Sequence, residues 1–161
     1  MTTKIDITEF RNRLKENTKI GSPKLKIEWG ILSILFADNS KIFYGKFDNS
    51  TFEIVKNSNF FPSFYFLKGT YKNSEKKMTI NYRIEPISKL GNTWIKYFPI
   101  IGFIVCNSVF YFQAKPPIEV YVIFNAFLVF ISIFSRVTIK LQNKNMEQKF
   151  IEIFEIEKLD K

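Results

Sequence analysis

A chain of 161 residues holds one ordinary domain, or a small domain plus a membrane segment. It contains no histidine, so Ser–His and Cys–His nucleophile systems are excluded, and its single cysteine, Cys106, rules out an intrachain disulfide. The net charge of +9 reads as a solvated basic face first and as an attraction to anionic surfaces second.

In residues 1–22, no apolar run of signal-peptide length occurs, so export of this segment is not expected. Asp6-Ile7-Thr8-Glu9 resembles a capping box, and Ile7, Phe10 and Leu14 follow at helical spacing. The expectation is an N-terminal helix that Gly21-Ser22-Pro23 ends.

Over residues 23–93 the periodicity changes to two. Leu25, Ile27 and Trp29 alternate with charged residues, as do Met78, Ile80, Tyr82 and Ile84 with polar ones. Asx- and Ser-rich turn signals at 37–40, 48–50, 56–59 and 72–75 separate further runs at 31–36, 42–47, 51–55 and 61–71. This predicts a cytoplasmic antiparallel β meander of five or six strands, a curled sheet or small open barrel.

Residues 97–114 and 120–135 then form uncharged runs of 18 and 16 residues. Crossing about 30 Å of hydrocarbon takes about 17–25 helical residues, so the runs are short but extendable at their ends. Between them Pro116-Pro117 permits a tight reversal. The prediction is a transmembrane hairpin within 94–137, with Trp94, Lys96, Tyr97, Tyr121 and Arg136 as interface anchors. The alternative is a pair of buried core helices or strands. Lys89 and Lys96 before the hairpin, Arg136 and Lys140 after it, and Lys115 alone in the loop place both termini in the cytoplasm. Asn107 and Asn125 each lie nine residues from Pro116, at similar depth, and are expected to pair within the hairpin or between copies.

In residues 138–161 Met146, Phe150, Ile153 and Phe154 recur at roughly helical spacing, predicting a C-terminal amphipathic helix; 150–157 also reads as an alternating strand. Its near-neutral charge favours packing on the sheet over lying on a membrane. The fold class is therefore an α+β membrane protein: β meander, two-helix hairpin and helical tail.

The pattern Phe43-x-Gly45-x-Phe47, Phe52-x-Ile54, Phe61-Pro62-Ser63-Phe64, Gly69 and residues 80–86, leading into the hairpin, resembles a group of small uncharacterised bacterial membrane proteins with an N-terminal β domain before two membrane helices. The resemblance implies this architecture, a bacterial inner membrane and no activity. Glu85 stands where that group often carries a histidine.

No catalytic residue, cofactor site or metal site is expected: the carboxylates are dispersed, and no phosphate-binding glycine loop exists. Phe60, Phe61, Phe64 and Phe66 suggest an aromatic surface, with core or membrane packing favoured over nucleic-acid binding. Besides the bilayer, the expected partners are a protein, a second copy of the chain or anionic lipid, bound by the basic β domain without enzymatic turnover. The alternative is an accessory subunit of a transport or envelope assembly, with the hairpin as its interaction surface.

Overall fold

The computed structural model describes residues 1–23, 40–57, 63–73 and 78–157; the strands expected around Leu25 to Trp29 and at 31–36, and the Phe60 and Phe61 positions, lie outside them. The chain divides into two compact units, Met1–Ile87 with Gln142–Lys161, and Ser88–Leu141.

The first unit is α+β. Its elements are β1 (Thr2–Thr3), α1 (Ile7–Asn17), β2 (Thr18–Ile20), β3 (Phe43–Phe47), β4 (Thr51–Lys56), β5 (Tyr65–Asn73), β6 (Met78–Pro86) and β7 (Ile156–Glu157). To these it adds the C-terminal part of a long helix described below. The Asp6 carboxylate accepts from the Thr8 and Glu9 N–H groups at 2.8 Å each, satisfying two of the orphan donors that start α1. Glu9 does not return the bond as a capping box would; it pairs with Arg13 at 2.7 Å. The helix stops at Asn17 because Thr18 turns extended and joins the sheet, so the expected helix over 1–22 is shorter by one short strand.

The strands form one open seven-stranded sheet in the order β2-β3-β4-β5-β6-β1-β7. β2 pairs parallel with β3, and every other pair is antiparallel. This corrects the all-antiparallel meander. Parallel pairing needs a crossover of a dozen or more residues, and 22 residues of sequence lie between the end of β2 and the start of β3.

One sheet face is closed by helices. Phe10 and Leu14 of α1 and Met146, Phe150 and Phe154 from the C-terminal region pack on Phe43, Phe52, Ile54, Leu67, Tyr71 and Ile80, all essentially buried. The Phe150 ring lies 5.1 Å from Phe52, 5.2 Å from Tyr82 and 4.8 Å from Phe154. Burying such side chains contributes about 1.5–3 kcal/mol each. Gly69 is required here: a Cβ at that position would fall 2.4 Å from the Phe52 ring. The C-terminal residues are therefore part of the core and not a separate tail. Arg13 ties them down by donating to the Ile153 carbonyl at 2.7 Å and the Glu155 carboxylate at 2.8 Å.

The second unit is a helical hairpin. Helix α2 (Lys89–Val109) begins at the Ser88 hydroxyl, which accepts from the Gly91 N–H at 3.0 Å, and contains Pro99. A π-helical turn, Phe110–Ala114, follows; Lys115, at φ 40°, ends it in the left-handed region and donates its N–H to the Phe110 carbonyl. Helix α3 (Ile118–Ile153) starts just after the two prolines and supplies residues through Leu141 to this unit and the remainder to the first. With the π turn, 26 residues reach about 39 Å, and 36 reach about 54 Å. Both helices are long and apolar enough to cross a membrane. They exceed the predicted spans because apolarity reports where hydrocarbon would lie, whereas a helix continues through any residues that do not break it.

Candidate functional surfaces

The hairpin surface is the larger of two features. The most apolar stretches of α2 and α3 are almost wholly uncovered, and Ile104, Ile123 and Phe130 are 60%, 69% and 62% exposed. The buried core helices weighed as an alternative are therefore not what the chain forms. Contiguous apolar exposure on this scale marks contact with another apolar phase or molecule.

Inside the hairpin the polar groups are consumed locally. Asn107 donates to the Asn125 side-chain oxygen at 2.7 Å, and Asn125 donates back to Asn107 at 2.9 Å. Asn107 also donates to the Phe103 carbonyl at 2.8 Å, and the Ser108 hydroxyl to Ile104 at 2.8 Å. Near the turn, Phe110 stands edge-on to both Tyr121 and Phe124 at 5.3 Å. Tyr121 thus packs between the helices as well as lying near the loop. Trp94 is 60% exposed beside Phe98, the Lys96 ammonium lies 5.3 Å over the Tyr97 ring, and Arg136 is exposed on α3.

The second feature is the sheet face away from α1. Strand pairing sets Lys46 opposite Glu53, Glu53 opposite Lys68, and Lys68 opposite Arg83. Glu53 accepts from Lys68 at 2.9 Å and from Lys46 at 3.2 Å, while Arg83 pairs with Glu85. Lys68, then Lys46, holds the half-exposed Glu53 carboxyl below its ordinary range, and Glu53 raises the Lys68 ammonium. A shallow concavity of about 450 Å³, with Thr51, Thr70 and Asn81 among its walls, runs across this ladder. The chemistry available is ionic and hydrogen-bonding: the Glu53 acceptor stands between Lys46 and Lys68, and Lys68 and Arg83 are neighbouring donors. The ladder escaped the sequence reading because it exists only in register. Its signal was that each member occupies the outward position of its strand, and the 48–50 turn fixes how Lys46 meets Glu53.

Of the four aromatic residues singled out in the sequence, Phe64 and Phe66 are among the described residues. Phe66 is buried, and Phe64 is half-buried just before β5, where its carbonyl accepts from the Ile87 N–H. Elsewhere Tyr82, half-buried against the core and donating to Glu147 at 2.9 Å, has its phenol pushed well above its usual range, by burial first and the carboxylate second. Among the described residues no cluster of His, Cys, Asp and Glu is placed to hold a metal ion.

No family model, curated protein or solved structure matches the chain.

Proposed function

We propose that this is a non-enzymatic two-pass protein of the bacterial inner membrane, with both termini in the cytoplasm, whose hairpin tethers the β domain so that its charged sheet face engages a protein partner. The observation that carries the reading is the uncovered apolar surface of α2 and α3, which only hydrocarbon or a comparably apolar partner can satisfy. The hydrogen bonds exchanged by Asn107 and Asn125 support it, because an amide in lipid needs a partner and each of these has one. Positive residues collect at the open end of the hairpin, and the loop has Lys115 balanced by Glu119, which favours the orientation given.

The ladder of Lys46, Glu53, Lys68 and Arg83 is the surface assigned to the partner. Exposed ion pairs contribute little to stability, about 0–1 kcal/mol each, so their loss would be felt more by an interface than by the fold. Crosslinking in native membranes tests this directly. The wild-type chain gives a discrete adduct, and a K68E/R83E variant that remains folded loses it. An adduct unchanged in that variant moves the interaction to the hairpin, as in an accessory subunit of a larger assembly.

A further inference from the structure

The reciprocal Asn107–Asn125 bonds fix the register of the two helices. Lys96 lies eleven residues before Asn107, and Arg136 lies eleven residues after Asn125. At 1.5 Å per residue both are about 16 Å from the amide pair along their helices, or half the thickness of a hydrocarbon core of about 30 Å. The register therefore sets one cation from each helix at the same depth, where hydrocarbon gives way to headgroups. Lys89 and Lys140 follow farther along, and this end of the unit has no carboxylate; its one acid, Glu119, is near the loop.

A second feature adjoins these cations. Leu90, Trp94, Tyr97 and Ile101 form a stripe at spacings of four, three and four along α2, lining an open groove of about 610 Å³ with Gly91 and Thr93. Its walls are almost entirely apolar, and the Lys96 ammonium lies 5.3 Å over the ring of Tyr97, one of the lining residues. Phosphate-bearing charge and acyl chain thus have adjacent, complementary surfaces.

We propose that the open end of the hairpin binds an anionic phospholipid, its headgroup phosphate held by Lys96 and Arg136 and one acyl chain laid along Leu90 to Ile101. The inference rests on the membrane reading above and assigns lipid selectivity to the hairpin, not to the β domain. The sheet face is the poorer candidate, because Lys46, Lys68 and Arg83 already face Glu53 or Glu85. A lysine or arginine near an anionic surface contributes about 1 kcal/mol, which is roughly fivefold in affinity per residue.

The test uses the full chain with Trp29→Phe, so that Trp94 alone emits, reconstituted in phosphatidylcholine vesicles containing chain-brominated phosphatidylcholine or chain-brominated phosphatidylglycerol. Quenching of Trp94 is expected to be stronger with the brominated anionic lipid at equal mole fraction. The preference should fall with added salt and approach unity in the K96Q/R136Q variant. That variant should still be quenched by brominated phosphatidylcholine, which shows that its hairpin remains inserted. Equal quenching by the two lipids, or a preference that survives in K96Q/R136Q, overturns the lipid site and leaves the membrane reading standing. Quenching by neither lipid overturns the membrane reading and the site with it.

Discussion

Asn107 and Asn125 each donate to the other's side-chain oxygen, at 2.7 and 2.9 Å, between the uncharged stretches of two helices. A reciprocal amide pair satisfies both partners at once, so removing one side chain strands the other. Coupling of about 0.6–2 kcal/mol is expected between N107L and N125L, each single change costing more than its share of the double. Denaturation of the reconstituted protein in a double-mutant cycle measures it, and strictly additive effects would contradict the pairing.

Phe150 joins the C-terminal end of α3 to the sheet through Phe52, Tyr82 and Phe154. F150A should destabilise the β domain by about 3–5 kcal/mol, the usual cost of emptying an aromatic site. Limited proteolysis should then cut β3 to β6 faster, whereas I123A, exposed on the hairpin, should leave that rate unchanged.

Gly69 admits the Phe52 ring over β5. G69V forces the ring aside and is predicted to cost about 1–3 kcal/mol. Pairing it with F52A should recover part of the loss in a chemical denaturation series.

Asp48 caps its turn so fully that its carboxyl is drawn down to about 2, first by the Thr51 hydroxyl and then by the Ser50 and Thr51 N–H groups. A depressed carboxyl stabilises the fold above its ordinary value near 3.8, and that contribution is lost as pH falls through 3.8 toward 2. D48N should therefore flatten the stability profile over this window and leave its shape above pH 5 unchanged, as followed by thermal melts.

Some of this was legible in the residues and some was not, for identifiable reasons. Asp6 ahead of an apolar helical stripe marked the start of α1, and turn residues at 48–50 marked the hairpin of β3 and β4, because capping and turn chemistry are local. Met146, Phe150 and Phe154 declared a helical face, but only tertiary packing shows that they complete the core. The two-residue strands β1 and β7 carry no periodicity to read, and the parallel β2–β3 pair depends on a return over 22 residues. Which face of β5 Phe66 takes was not legible, because that strand buries residues on both faces, which one-sided alternation does not anticipate. The ion-pair ladder was invisible because it depends on three successive strand registers.

The central claim is that α2 and α3 cross a bilayer and return. With Cys106→Ala removing the natural thiol, cysteines placed at Lys115 and, separately, at Asn49 in the β3–β4 turn report the two sides. In intact spheroplasts a membrane-impermeant maleimide should label K115C at once and N49C only after lysis. Labelling of K115C only after lysis, or of N49C before it, would contradict the account.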